Sequence, residues 1–340
     1  MIARLFLVTP FTVTVPEGAP FRIPVYETQE FKIIFQPPKR SDEQRDKDKN
    51  RDVKIAGKPT FEADIVHIDF IKDNFNRLIE SPSDPSGDLI QEMLNSYLLR
   101  LRHVTKSSVV RPVRIQECTY RLSYLNDDGS ELPHQTGYFR HRLSKSVSMS
   151  WIALTSAIWD DVHALPANYS PPPWEGLLLD AAYPGVSVGN SIVLAATGLE
   201  VFIARILDLL KEDSTTPSEL WNWINNRPDR TREPSVEEQF DTLLKIFCGH
   251  SLKEDQELWV MFKNLKSARN AFVHTGVARI GKNEEPLSKD KAMPLVVAAS
   301  KIIERIRGWI PAKHHWKQHL HQVEVQAAIP LLKPQSNSGG

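Results

Sequence analysis

The sequence IVLAATGLEVFIARILDLL, residues 192–210, decides the fold of the second half of the chain. Its apolar residues recur at alternating spacings of four and three, at Ile192, Ala196, Leu199, Ile203, Ile206 and Leu210. This spacing places them on one face of a helix, because an α-helix has about 3.6 residues per turn. The stretch therefore predicts a long amphipathic helix whose apolar face other helices must cover.

Three further helices are predicted after this one, at residues 235–247, 254–274 and 288–310. The first opens with Ser235 and Glu238, which have the spacing of a capping box. Gly276 follows the second, and glycine readily adopts the left-handed conformation that ends helices. Four helices joined by connections of moderate length predict an antiparallel all-α bundle over residues 175–311.

The first half of the chain predicts a mixed, β-rich domain over residues 1–165. Its predicted elements are strands at 5–15, 31–35 and 63–70, a helix at 89–103, a strand at 118–124 paired with 138–143, and a helix at 151–162. Residues 37–58 are rich in charges of both signs and predict a mobile loop. The predicted fold class is therefore α+β, with a β-rich domain followed by the helical bundle.

Two segments flank the predicted bundle. Residues 166–174 contain three consecutive prolines, which predict a stiff, extended linker between the domains. Residues 312–340 form a basic, histidine-rich C-terminal tail. The spacing of His315 and His319 permits a metal-binding pair on one helical face, but the interleaved lysines favour a basic surface, so no metal is expected.

The composition limits the classes of function. Lysine plus arginine equals aspartate plus glutamate, at 42 residues each, so nucleic-acid binding must come from a local patch. No segment approaches the roughly 20 apolar residues that span a bilayer. Cys118 and Cys248 lie in different predicted domains and fit reduced thiols. These features predict a soluble, cytoplasmic protein without a membrane partner.

The first half contains one candidate patch, a group of basic residues mixed with tyrosines, which is typical of nucleic-acid surfaces. Its members are Tyr97, Arg100, Arg102, His103, Lys106, Arg111, Arg114, Tyr120, Arg121 and Tyr124. An ordinary helix and edge strand explain the same residues, so both interpretations stay open. Asp160, Asp161 and His163 predict a solvated charge cluster at a helix end.

The strongest chemical signal lies near the end of the predicted helix at 254–274. Arg269 carries a permanent charge and a fork of donors that suits a phosphate. Asn270 follows it directly, and His274 can gain or lose a proton near neutral pH. Because Arg269 and His274 are five residues apart, their side chains diverge by about 140° around the helix. A single chain therefore offers only half of an obvious site.

The sequence LKSARNAFVHTG, residues 265–276, resembles the Apea-like branch of the HEPN superfamily (higher eukaryotes and prokaryotes nucleotide-binding). Its Arg269-Asn270-x-x-x-His274 pattern is similar to the motif of the ribonucleases in this superfamily. The sequence AATGLE, residues 195–200, is similar to their upstream helix. The resemblance covers roughly residues 175–311 and leaves the first half of the chain unassigned.

The resemblance implies a metal-independent endoribonuclease that needs no cofactor and forms a homodimer through the motif helix. His274 would act as general base or acid when the ribose 2′-hydroxyl attacks the adjacent phosphate, which leaves a 2′,3′-cyclic phosphate. Arg269 would hold the phosphate and stabilise the transition state, and Asn270 would orient the histidine or bind the same group. RNA contacts are expected from Lys263, Lys266 and Arg279.

By the same resemblance, the protein would be a toxin or an effector of antiviral or stress defence, with a regulator or trigger bound by its first domain. Some toxins of the family carry, two residues after the histidine, a tyrosine that a partner enzyme modifies; this chain has Gly276 there. Three alternatives stay open: a non-catalytic dimerisation module, a nucleotide- or RNA-sensing module, and an RNA-binding scaffold. Glu200 is either an exposed acid or a neighbour of the motif.

Overall fold

The computed structural model describes residues 2–40, 53–72, 85–126, 128–132, 137–139, 152–225, 234–281, 285–319 and 325–327. The chain divides into two compact units, Met1–Tyr169 with His319–Gly340 and Ser170–Gln318. The first unit contains the antiparallel sheet and the second is helical, which confirms the predicted α+β class. In chain order, the second unit is therefore an insertion into the first.

The first unit is built on a sheet in which all described strand pairs are antiparallel. The strands are β1 (Ile2–Pro16), β2 (Val25–Glu27), β3 (Lys32–Lys39), β4 (Val53–Ile55), β5 (Lys58–Ile71), β6 (Thr119–Leu125), β7 (Gly137–Phe139) and β8 (Val325–Ala327). Their order is β2-β3-β5-β1-β6-β7, while β4 pairs with β5 and β8. The strands predicted at 5–15, 31–35, 63–70 and 118–124 are confirmed as β1, β3, β5 and β6.

The two faces of the sheet differ in burial. Alternate residues of β1 are fully buried, namely Ala3, Leu5 and Leu7. Two helices cover this face, α1 (Gly87–Thr105) and α2 (Ser156–Ala164). Their position is fixed by Phe35 of β3, whose ring lies 5.3 Å from that of Tyr97 and 5.4 Å from that of His163. The opposite face of β1 carries half-buried side chains, including Arg4 and Phe6.

The ends of the predicted loop at 37–58 form strands, so that prediction was wrong there. β3 continues to Lys39, whose ammonium lies 5.5 Å from the ring centre of Phe6. β4 begins at Val53, and β5 begins at Lys58. At the first end, the contact between the Lys39 ammonium and the Phe6 ring stabilises the strand. At both ends, backbone pairing forms strands although the sequence is rich in charged residues. Residues 41–52 of this loop lie outside the described residues.

Two other boundaries differ from the prediction. The helix predicted from residue 151 begins at Ser156, because residues 152–154 bond to β1 instead. There, the Thr14 amide donates to the Ile152 carbonyl at 2.7 Å, and the Leu154 amide donates to the Thr14 carbonyl at 2.9 Å. In the predicted hairpin, residues 137–139 pair with β6, while residues 140–143 lie outside the described residues.

The second unit is helical. Its elements are α3 (Pro173–Ala181), α4 (Val188–Glu212), α5 (Ser218–Asn225), α6 (Val236–Glu238), a π-helical segment (Gln239–Leu243), α7 (Leu244–Cys248), α8 (Gln256–Thr275) and α9 (Lys289–Arg307). The predicted linker is too long at its end, because Pro173 occupies the first position of α3, where proline is favoured. None of the helices in the described ranges has the length and apolar character that crossing a bilayer requires.

The apolar face of α4 packs against α3, α8 and α9, as its sequence spacing predicts. Gly189 at the start of α4 meets Phe272 near the end of α8, so these two helices run antiparallel. At the other end of α8, the Asp255 carboxylate lies 3.6 Å from the Arg305 guanidinium at the end of α9. The helix pairs α4–α8 and α8–α9 are therefore both antiparallel.

Candidate functional site

The candidate motif lies on α8, which has well-defined ends. The Asp255 carboxylate accepts from the Leu258 amide at the start of the helix. At its end, Gly276 has a φ of 73°, and its amide donates to the Phe272 carbonyl at 2.7 Å. The helix predicted at 254–274 is thereby confirmed. Its inward stripe, which holds the motif against the core, consists of Leu258, Trp259, Phe262, Leu265 and Ala268.

Arg269 lies half-buried on a small cleft between α8, α4 and the start of α6. Its Nη1 donates to the Asn270 Oδ1 at 3.1 Å, whereas its buried Nε has no hydrogen-bond partner. Glu200 of α4 lines the same cleft and forms no hydrogen bond or ion pair with the described residues. The cavity measures about 10 Å³, which is room for a single water molecule. The guanidinium and this carboxylate therefore share a narrow cleft whose other walls are mostly apolar.

Lys266 lines this cleft too, and its charge is partly neutralised. Its ammonium lies 2.8 Å from the Glu237 carboxylate, with both side chains at least a third exposed. Lys263 is exposed and has no ion pair within the described part of the chain. Arg279 is half-buried, and its Nε lacks a hydrogen-bond partner. Of the three predicted RNA contacts, Lys263 is thus the most accessible.

His274 occupies the last turn of α8 and is exposed. It is not among the residues that line the Arg269 cleft, and its ring forms no hydrogen bond with the described residues. The structure therefore brings together Arg269, Asn270, Lys266 and Glu200, and leaves His274 outside that group. The predicted divergence of the arginine and the histidine around the helix agrees with these surroundings.

The end of α8 is held by a contact that sequence analysis missed. A Cβ atom at Gly189 would lie 2.0 Å from Cε2 of Phe272, so only glycine allows the ring to pack there. Phe272 lies two residues before His274, and this contact therefore fixes the helical turn that presents the histidine. The sequence alone does not indicate this contact, because a glycine near the start of a helix has little effect on helix formation and Phe272 lies more than 80 residues away.

Half of the candidate basic patch of the first unit is buried, which favours the interpretation as an ordinary helix and strand for those members, whereas Lys106, Arg111, Arg114 and Arg121 are exposed. The buried members are Tyr97, Arg100, Arg102, His103 and Tyr124. Arg100 is only 1% exposed. Its Nη1 donates to the Tyr26 hydroxyl at 2.6 Å and to the Leu165 carbonyl at 3.2 Å, and its Nε donates to the Ser96 carbonyl. Arg100 therefore connects elements of the fold instead of facing a ligand.

His163 is also buried, which contradicts the predicted solvated cluster. Its Nδ1 lies 2.7 Å from the Tyr26 hydroxyl, and its ring centre lies 4.3 Å from that of Trp159. Burial, reinforced by the nearby charge of Arg100, lowers the pKa of His163 to about 3. The imidazole is therefore neutral at physiological pH.

The histidines after α9 have partners that their sequence spacing did not reveal. The Asp213 carboxylate binds the ammonium of Lys313 at 2.5 Å and the His314 ring at 2.6 Å. The His315 ring bonds to the Ile310 carbonyl at 3.0 Å. Residues 315–319 are not helical, so His315 and His319 do not share the helical face that their spacing would permit. Within the described ranges, no three potential metal ligands cluster.

No protein-family model matches the chain, and neither the curated proteins nor the solved structures contain a significant match to it.

Proposed function

We propose that the protein is a metal-independent endoribonuclease of the HEPN type that acts in toxin-like or antiviral defence. The observation that carries this proposal is the position of Arg269. Its guanidinium is half-buried at a small cleft of the motif helix, one of its donors is unpaired among the described residues, and an exposed histidine follows five residues later. An unpaired, half-buried donor that is permanently charged suits an RNA phosphate.

The chemistry assigned to these residues follows from their exposure and bonding. His274 is accessible to a substrate and would remove the proton of the ribose 2′-hydroxyl. The 2′-oxygen would then bond to phosphorus while the bond from phosphorus to the 5′-oxygen breaks, and the leaving 5′-oxygen would take up a proton from solvent. Arg269 would bind the phosphate and stabilise the charge that develops on it, while Asn270 anchors the guanidinium through its Oδ1. Lys263 and Arg279 would contact the flanking phosphates. No step requires a metal or a cofactor.

Two chains are part of this proposal, because the surroundings of Arg269 and His274 differ within one chain. In a homodimer through α8, the arginine of one chain would complete a site with the histidine of the other. Mixing His274→Ala with Arg269→Ala chains tests this arrangement. Mixed dimers should regain part of the activity, since one of their two composite sites retains both residues. Mixtures that stay as inactive as the separate variants would contradict the composite site.

The main test compares RNA and DNA of the same sequence, incubated with the purified chain in the presence of a chelator. We expect cleavage of RNA alone, with a 2′,3′-cyclic phosphate end. His274→Ala and Arg269→Ala should each slow cleavage by about 100-fold or more. His250→Ala is the matched control, because His250 lies on the same unit but pairs with Glu254 at 3.1 Å. Cleavage that survives His274→Ala would overturn the mechanism.

A non-catalytic RNA- or nucleotide-sensing module is the second candidate function. The hydrogen bond from Arg269 to Asn270 and the distinct surroundings of His274 favour it, since neither residue then needs a chemical step. RNA binding that persists without cleavage, and that Lys263→Gln weakens, would support this candidate. Lys301→Gln is the control, because Lys301 is an exposed lysine of α9 outside the motif surface.

A further inference from the structure

The half-buried face of the sheet in the first unit contains an arginine that is fixed in place. The Arg4 Nε and Nη2 donate to the two oxygens of Asp69 at 2.8 and 3.1 Å. The same carboxylate accepts from Gln36 at 3.0 Å and lies 3.0 Å from the His67 Nε2. These bonds hold the guanidinium rigid, while its Nη1 has no partner in the described ranges. The Arg4 side chain is 33% exposed, so it can meet a ligand on this face of the sheet.

A buried hydroxyl without a partner lies next to this arginine. Ser123 of β6 is directly opposite Arg4 of β1 in the strand register. The serine is 3% exposed, and its Oγ has no hydrogen-bond partner among the residues that the structure describes. Leaving a polar group buried and unpaired costs about 1–3 kcal/mol, so such a group needs an explanation. A ligand that accepts a hydrogen bond would provide it.

A second guanidinium lies on the same face. Arg121 is two residues before Ser123 and opposite Phe6, which makes it a diagonal neighbour of Arg4. Its Nη2 contacts both oxygens of Glu131 at 2.5 and 2.7 Å, which leaves its Nε and Nη1 without partners in the described part of the chain. Both side chains of this pair are more than a third exposed, so Glu131 can be displaced.

From these contacts, we infer that Arg4, Ser123 and Arg121 form a binding site for a phosphate group on the sheet of the first unit. Two guanidinium groups and a hydroxyl provide donors from different directions, which suits the several oxygens of a tetrahedral phosphate better than a planar carboxylate. In the structure, the Glu131 carboxylate takes the position beside Arg121 that the phosphate would occupy. The phosphate belongs either to a free nucleotide or to an RNA strand.

The test measures the dissociation constants of inorganic phosphate, adenosine 5′-monophosphate and a ten-nucleotide RNA by calorimetry on the full chain. We expect at least one of them to bind and acetate not to compete. Ser123→Ala and Arg121→Gln should each weaken binding about tenfold, the effect of one hydrogen bond to a charged group. Glu131→Gln should strengthen it, because the internal competitor is removed. Binding of adenosine 5′-monophosphate would identify the ligand as a small nucleotide, whereas binding of the RNA alone would identify it as an RNA strand.

Ser123→Ala removes only an unpaired hydroxyl, so the variant should fold with unchanged or higher stability. Arg114→Gln is the charge control, because Arg114 is exposed and lies outside this face. Equal affinity of the wild type, Ser123→Ala and Arg121→Gln would overturn the inference, as would the absence of binding by all three phosphate probes. Because none of these variants touches Arg269 or His274, the result is independent of the ribonuclease proposal.

Discussion

Arg100 of the first unit and Arg269 of the second are both removed from solvent, but their surroundings differ. Arg100 is fully buried, and hydroxyl and carbonyl oxygens from three other residues accept its donors. Arg269 is half-buried, and among the described residues it bonds only to its neighbour Asn270 and has an unpaired Nε. An arginine whose donors are used within the fold serves stability, whereas a half-buried arginine with few bonds keeps part of its guanidinium available to a ligand. The two units therefore use the same residue type for different purposes.

The largest expected effect separates the two arginines directly. Arg100→Met should lower the free energy of unfolding by about 4 kcal/mol, because it leaves the Tyr26 hydroxyl and the buried Leu165 carbonyl without the donors of the guanidinium. Arg269→Met should lower it by less than about 1 kcal/mol, since one weakly anchored bond is lost. Urea denaturation measures both values, with the exposed Arg114→Met as the reference. Equal losses of unfolding free energy in the Arg100 and Arg269 variants would show that the two arginines contribute alike to stability.

The next effect concerns the acid that anchors Arg4. Hydrogen bonds from His67 and Arg4 outweigh burial and lower the pKa of Asp69 to about 2, from 3.8. A lowered folded-state pKa means that the ionised carboxylate stabilises the fold above about pH 4 and that this contribution disappears as the pH falls through 2. The contribution is about 2 kcal/mol. Denaturation curves between pH 5 and 2 should lose this amount in the wild type, and Asp69→Asn should flatten that pH dependence.

Gly189→Ala should disturb the second unit locally. The added methyl group meets the Phe272 ring, which costs more than the gain in helix propensity, for a net loss of about 1–2 kcal/mol. Because Phe272 supports the turn that presents His274, the rate of RNA cleavage should also fall, and by more than the loss of folded protein explains. Gly176→Ala is the control, since a methyl group there meets no atom within 4 Å. An unchanged cleavage rate in Gly189→Ala would show that this turn tolerates displacement.

The smallest effect is expected for the ion pair beside the motif. A double-mutant cycle of Lys266→Met and Glu237→Gln should give a coupling of about 0.5 kcal/mol, because both side chains are exposed to a large extent. RNA affinity responds differently: Glu237→Gln should increase it by freeing the lysine, and Lys266→Met should decrease it. If both variants change affinity in the same direction, Lys266 is not a phosphate contact.

Much of the helical unit could be predicted from sequence, because its evidence is local. The spacing of apolar residues defines α4 and α9, the capping box at Ser235 opens α6, and Gly276 ends α8. Each of these signals acts within a few residues. The predicted start of α2 was wrong because the evidence for it is not local. Residues 152–154 form backbone hydrogen bonds with Thr14 of β1, which lies more than 130 positions away in sequence.

The polar residues were harder to place for the same reason. The sequence around Arg100 and His163 does not show that their side chains are buried, because their partner Tyr26 lies 74 and 137 residues away. In the candidate site, Arg269, Asn270 and His274 were named from sequence. The cleft that Glu200 and Lys266 share with Arg269 required the packing of α4 and α6 against α8. Side-chain burial depends on such long-range packing and could not be derived from spacing alone.

The strand pair β4–β8 has a consequence for biosynthesis. Val53 pairs with Ala327, whereas the whole helical unit lies between the two strands in sequence. During translation, residues 170–318 leave the ribosome before β8 does. The pairing of β4 with β8 can therefore form only after the whole helical unit has emerged.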